Sequence, residues 1–376
     1  KTNVLPYEID EVTAISEIDF DNDGDFDIVM ARGKEFDIGE TFFNKETQTW
    51  GFFTKRGDFK FQDLLTGDVL QMTNFQSQWP FNDAYYIGET GYRYEFKGET
   101  HSGKDIRLVS SDALGFPDAL NPEGGIHVGY VGNDSWRIAG NTFSPTTGTV
   151  VGVKEYPAYE HQKGLKTILL ENRNGKFVDV SIKAKLLIED HTVGVAVADF
   201  DNNGYQDILV IRRGELVYEN TALVYMNQGD KTFKSSNNHG IATSDIGSIG
   251  MAVEVLDYDL DGDVDVVIGN ERGKWHLLKN SWGANSKNNF AIVKVGNSPA
   301  GKATALGARV EVIGCENNQI KRVGTTGSVY SSTFNSHINF GLGSCTKLLK
   351  VMVTWTNGET VTKNLNGNTM LIIGEK

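Results

Sequence analysis

The amino-acid sequence predicts an all-β protein, a repeat-built β-propeller followed by a small β-sandwich-like domain. Three observations carry this. An Asp-rich nine-residue loop occurs three times, each copy lies between segments of β pattern, and beyond about residue 285 the loops stop while short alternating segments continue.

The loops are Asp19-Phe-Asp-Asn-Asp-Gly-Asp-Phe-Asp27, Asp199-Phe-Asp-Asn-Asn-Gly-Tyr-Gln-Asp207 and Asp257-Tyr-Asp-Leu-Asp-Gly-Asp-Val-Asp265. Before the second and third come Val193-Gly-Val-Ala-Val197 and Met251-Ala-Val-Glu-Val255, which alternate with period two and read as strands with one buried face. After the loops come the short apolar runs Ile28–Met30, Ile208–Ile211 and Val266–Ile268, which suit strands buried on both faces. The repeating unit is therefore strand, loop, strand. Leu223 to Phe233 adds a further hairpin of the kind found at the outer side of a propeller blade.

The second and third loops are 58 residues apart and the first and second 180, which leaves room for degenerate copies, with Asn82-Asp83 and Asn133-Asp134 near the expected places. Roughly 285 residues at about 40 per blade suit seven blades. Ser281 to Asn289 is small and polar and reads as a linker, so the expected division is 1–285 for the propeller and 286–376 for the tail. In the tail, Ala308–Ile313, Leu349–Trp355 and Met370–Ile373 are the expected strands.

Oxygen ligands at positions 1, 3, 5 and 9, with Gly at position 6, can surround one hard cation. Asp19, Asp21, Asp23 and Asp27 supply the side chains in the first loop, and Asp25 its backbone carbonyl at position 7. The second loop offers Asp199, Asp201, Asn203 and Asp207 with Tyr205 at position 7, the third Asp257, Asp259, Asp261 and Asp265 with Asp263. An EF-hand opens with the same spacing but needs a bidentate Glu at position 12, where this chain has Met30, Val210 and Ile268. Three loop sites for Ca²⁺ are expected, with a structural role, because carboxylates gathered at one turn repel one another without a cation.

The formal charge of −13 contains no Lys/Arg cluster, which argues against a nucleic-acid partner; three Ca²⁺ would bring it to −7. No run approaches the roughly 18 apolar residues of a membrane span. Residue 1 is Lys with no initiator Met or apolar leader, so the chain reads as a processed mature form or a trimmed one. Two cysteines, Cys315 and Cys345, sit beside Gly314 and Gly343 at turns, and a disulfide between them is expected. Calcium loops and a disulfide fit a secreted, periplasmic or cell-surface location.

With these residues in view, the sequence resembles the FG-GAP/VCBS repeat proteins that end in an ASPIC/UnbV domain, the group that includes the cartilage acidic protein family. The matching segments are Val197-Ala-Asp-Phe-Asp-Asn-Asn-Gly204, Ala305-Leu-Gly-Ala-Arg-Val-Glu-Val312, Phe340-Gly-Leu-Gly343 and Val353-Thr-Trp-Thr-Asn-Gly358. The usual Pro after Trp355 is Thr356 here, no EGF-like cysteine module follows, and the likeness is weak between about 35 and 160. The resemblance implies an integrin-like propeller with calcium loops joining the first two strands of certain blades, and a role in extracellular adhesion or recognition of a protein or glycan partner.

The alternative is a carbohydrate-active enzyme, such as a lyase on acidic polysaccharide, with base, acid and charge-neutralising groups drawn from His127, His161, His191, Arg212, Arg213, Tyr130 and Tyr156. No spacing marks a catalytic site, and the expectation leans to a non-enzymatic function. The aromatic region from Trp79 to Tyr159 suits either sugar stacking or packing between blades, and packing between blades is preferred. Arg56-Gly57-Asp58 spells an integrin-recognition tripeptide but runs into a β segment, so it reads as a chance match.

Overall fold

A computed structural model gives the fold. It describes residues 4–76, 83–96, 104–271, 273–282, 286–315, 317–324, 327–328 and 336–375. The described residues are all β apart from one 3-10 turn at Ser110–Asp112.

Each Asp-rich loop joins the first two strands of an antiparallel sheet. The first sheet runs Val12–Ile18, Asp27–Arg32, Ile168–Asn172 and Phe177–Asp179. The second runs Thr192–Ala198, Asp207–Arg212, Leu223–Asn227 and Phe233–Ser236, and the third Ile249–Leu256, Asp265–Glu271 and Trp275–Leu278. The expected flanking strands are therefore present, each longer than its apolar run by one or more residues. The pairing register shifts at the same place in all three inner strands, at Thr13, Val193 and Met251, six residues before the loop. A repeated bulge there increases the local twist in the same way in each blade.

Residues 33–167 depart from the expected repeat. They leave the first blade between its second and third strands, at the end opposite the metal loop, and return to complete it. Within them, Thr41–Asn44, Thr49–Thr54, Val69–Gln76, Lys104–Val109 and Thr146–Val151 form one sheet. A second is built on Gly57–Lys60, Tyr85–Ile87, Tyr92–Arg93, Gly125–Gly132 and Ser135–Thr142. Trp50, Phe52, Leu70 and Met72 from the first pack against Tyr85, Ile126, Trp136 and Ile138 from the second. This is a sandwich, not a run of degenerate blades. Asn133 and Asp134, expected near such a blade, both have positive φ and form the turn of the hairpin from Gly125 to Thr142; Asn82 lies outside the described residues. Three blade-type sheets, rather than seven, thus stand among the described residues.

The sandwich docks on the blades away from the metal loops. Phe36, Phe42 and Phe53 meet Leu216, Val217 and Ile249, and Thr147 Oγ1 donates to the Gly247 carbonyl at 2.7 Å.

The tail forms two sheets around one core. Asn289–Val295 lies between His337–Gly343 and, in parallel, Thr369–Ile373; Arg309–Ile313 and Leu349–Thr354 are the inner strands of the other, flanked by Gln319–Arg322 and Thr360–Leu365. Phe340, Val351, Val353 and Trp355 fill the space between them. Cys315 and Cys345 form the expected disulfide, with a Cα separation of 5.9 Å. Gly327–Ser328 pairs with Ala196 and Val195, so the tail also adds to the inner edge of the second blade.

Candidate metal centres

In each loop the carboxylates at positions 1, 3 and 9 converge. Asp19, Asp21 and Asp27 can place ligand oxygens within 4.8 Å of one another, as can Asp199, Asp201 and Asp207, and Asp257, Asp259 and Asp265. Positions 1 and 9 are buried in every loop. The position-9 carboxylate is fixed by two backbone N–H donors. Asp27 accepts from Phe20 and Asn172, Asp207 from Phe200 and Asn227, and Asp265 from Tyr258 and Asn280. The position-1 carboxylate accepts from the N–H of position 5 at 3.0–3.1 Å. Gly24, Gly204 and Gly262 take φ of 89°, 95° and 95°, the left-handed turn for which position 6 needs glycine.

At position 5, Asp23 and Asp261 stand outside these carboxylate clusters. Asp23, Asn203 and Asp261 turn Oδ1 to the N–H of Asp25, Tyr205 and Asp263.

The electrostatics of the loops favour a bound cation. Burial, reinforced by Asp23 and Asp21, pushes Asp19 up to about 7, and burial raises Asp27 to about 8. Asp199 and Asp207 are likewise raised, first by burial. Asp19 Oδ2 is buried with no hydrogen-bond partner. A dication fits this donor set: it would neutralise carboxylates that burial otherwise drives towards protonation, and hard oxygen donors suit Ca²⁺. Lysines lie at the rims of the outer two loops, Lys231 on Asp21 at 2.5 Å and Lys279 on Asp259 and Asp261.

The three loops are linked. Asn22 Nδ2 donates to the Gly204 carbonyl at 3.0 Å, and Asn202 Nδ2 to the Gly262 carbonyl at 3.2 Å and Asp263 Oδ1 at 2.9 Å. Asp19 N–H donates to Gln206 Oε1 at 2.7 Å. A second set of residues escaped the sequence reading. Asn227 Nδ2 reaches the Phe20 carbonyl and Asn280 Nδ2 the Phe200 carbonyl, both at 2.8 Å, so each blade holds the loop of the one before. Their signal was available: Asn172, Asn227 and Asn280 each stand two or three residues before a glycine at the end of the third strand.

The tail covers this end. Asn339 Nδ2 donates to Asp257 Oδ2 at 2.8 Å, Gly343 N–H to the Asn202 carbonyl at 2.8 Å and Asn288 Nδ2 to the Asp201 carbonyl at 2.8 Å. Arg309 reaches the Gly24 carbonyl at 3.1 Å. Lys321 is buried beside Asp199 and Asp207 with its ammonium on the Asn339 carbonyl.

The model of the family described as ASPIC and UnbV matches residues 298–376. The tail is an ASPIC/UnbV domain. Its core is the two-sheet body around Phe340 and Trp355. Over 200 residues the chain is 29% identical to integrin alpha-3 of Cricetulus griseus, a match that takes in 49% of this chain and 17% of that protein. The chain thus spans well under two thirds of this curated relative. Together with the three loop-bearing sheets, the two likenesses support the description of the chain as FG-GAP repeats ending in an ASPIC/UnbV domain.

Four of the catalytic candidates, His161, His191, Arg212 and Arg213, gather beside Glu40 and Asp190, while His127, Tyr130 and Tyr156 lie apart from them in the sandwich. His191 is buried; its Nδ1 accepts from the Lys34 N–H and its Nε2 faces the Gln162 carbonyl, while burial lowers its pKa. His161 pairs with the buried Glu40, which also faces Arg213, and Arg212 pairs with Asp190. His127 and Tyr130 belong to the sandwich, with Tyr130 edge-on to Trp136, and Tyr156 packs on Trp50. Tyr85 and Trp136 are core residues, but of the sandwich and not of a seam between blades, and Tyr92 is 46% exposed; Trp79 lies outside the described residues. In the Arg56-Gly57-Asp58 tripeptide, Gly57 and Asp58 open a strand and Asp58 accepts from Asn141.

Proposed function

We propose that this chain is an extracellular or periplasmic recognition module, a propeller-type β-protein whose Asp-rich loops bind Ca²⁺ structurally and which engages a protein or glycan partner. The observation that carries the reading is the convergence of carboxylates at positions 1, 3 and 9, with positions 1 and 9 buried, in three linked loops. The likeness to an integrin α chain and the disulfide support a location outside the cytoplasm.

The ligands are Asp19, Asp21 and Asp27 in the first loop, Asp199, Asp201 and Asp207 in the second, and Asp257, Asp259 and Asp265 in the third. Asp23, Asn203 and Asp261, together with the carbonyls of Asp25, Tyr205 and Asp263, complete the shell once position 5 turns inward. Calcium fixes the loop end of each blade, and with it the surface on which the ASPIC/UnbV domain sits. The test is binding of the full chain, in millimolar calcium, to panels of extracellular proteins and of neutral and acidic polysaccharides. Retention of a protein or intact glycan that is lost in EDTA supports the reading. A shortened polysaccharide overturns it in favour of a lyase.

A further inference from the structure

The first and second blades each have a fourth strand, and in both it opens on a phenylalanine paired with the asparagine that recurs at the end of the third strand: Asn172 with Phe177 and Asn227 with Phe233. In the second blade Phe233 is buried and stacks on Phe20, the position-2 residue of the preceding loop, at 6.2 Å; its N–H donates to the Ala184 carbonyl. Phe233 thereby fills the wedge between the first two blades, among Val29, Leu186, Ile188 and Ile208.

The third blade repeats this frame without that filling. Among the described residues its sheet ends at Trp275–Leu278. At the corresponding place between the second and third blades is a cavity of about 560 Å³, lined by Phe200, Met226, Ile241, Val266, Leu278 and Trp282. Phe200 stands where Phe20 stands one blade earlier, Val266 where Ile208 stands, and Leu278 where Tyr225 stands. The outer strand presents Trp275 and Leu277, 65% and 54% exposed, on the other face of the same edge.

We infer that the outer edge of the third blade is a strand-acceptor site, completed by an extended segment of a protein partner that inserts an aromatic side chain opposite Asn280 into the cavity beside Phe200. Backbone pairing along Trp275–Leu278 supplies affinity without sequence demand, and the cavity supplies the aromatic preference. The register follows from the second blade, where the residues after Phe233 pair in turn with Met226, Tyr225 and Val224. The inference deepens the recognition reading by giving the chemistry of one partner, and it rests on that reading only for the partner being a protein.

The probe is a labelled peptide of residues 229–237, Gly-Asp-Lys-Thr-Phe-Lys-Ser-Ser-Asn, which carries the second blade's own fourth strand. Fluorescence anisotropy with the full chain is expected to show saturable binding. Replacing the phenylalanine of the peptide by alanine is expected to weaken it at least about tenfold, the loss of one buried aromatic side chain. Leu278→Trp, which fills the cavity from within, is expected to abolish binding, and hydrogen exchange is expected to show new protection over 275–278 on adding peptide. If that variant fails to fold, the two peptides and the exchange pattern still decide. No saturable binding, or binding indifferent to the phenylalanine, overturns the inference. A concentration-dependent dimer that Leu278→Trp dissociates also overturns it, since the strand would then come from a second copy. A partner captured in calcium that leaves 275–278 unprotected overturns the inference while leaving the recognition function standing.

Discussion

Asn227 donates its side-chain amide to the carbonyl of Phe20, 2.8 Å away and 207 residues earlier in the chain. The same amide also reaches the Gln206 carbonyl at 3.1 Å, and its oxygen accepts from the Gly229 N–H at 3.0 Å. One buried side chain thus ties together the loops of two blades and its own turn. Asn227→Ala leaves the Phe20 carbonyl without this donor, a loss of about 1–3 kcal/mol. A melting temperature lower by several degrees is expected by calorimetry, with a smaller effect for Asn172→Ala, whose side-chain bond to the Phe26 carbonyl is 3.4 Å.

Gly341 marks the contact between the tail and the second loop. A Cβ there would stand 2.0 Å from Asp199 Oδ2 and 2.5 Å from the Asn202 Cα. Neither neighbour can withdraw without disturbing the loop, so Gly341→Ala is expected to cost on the order of 2 kcal/mol or more. Limited proteolysis should then cut between tail and blades in the variant while the wild type resists.

The disulfide closes a loop of 30 residues in the tail. On the chain-entropy model this contributes about 3 to 4 kcal/mol. Replacing both cysteines by serine is expected to lower the melting temperature, with the loss felt first in the tail and passed to the second blade through Gly327–Ser328, read by calorimetry against the untouched chain.

Acidity acts on the metal-free protein in an unusual direction. Asp19 and Asp27 hold protons in the folded state up to about 7 and 8, whereas in the unfolded chain they release them near the ordinary carboxylate value of about 4. Between those limits the folded state binds more protons, so stability falls as pH rises. In EDTA the melting temperature is expected to increase from pH 8 to pH 5.5. In saturating calcium, which holds the carboxylates ionised, that increase is expected to vanish or reverse.

The loops and the strands around them were legible because both are short-range patterns: ligand spacing fixes the turn, and alternation fixes the strand. The strands expected at Ala308–Ile313, Leu349–Trp355 and Met370–Ile373 came out within one residue of the observed ends. The sandwich was not legible. Its strands, such as Val69–Gln76 and Thr146–Val151, have the same pattern as blade strands, and nothing in a local pattern says which sheet a strand joins. The return of the chain at Ile168 to pair with Met30 is likewise a long-range event. The inter-blade asparagines were hidden for a different reason, since Asn before Gly reads as an ordinary turn until three copies are aligned on the loops.

The most direct measurement is a calcium titration of the full chain after EDTA treatment, followed by calorimetry and by melting. Three bound ions, a melting temperature raised markedly by calcium, and one ion lost in each of Asp27→Asn, Asp207→Asn and Asp265→Asn are the results expected from three carboxylate-lined loops. A melting temperature unchanged between EDTA and millimolar calcium would contradict the account and leave the loops as hydrogen-bonded turns.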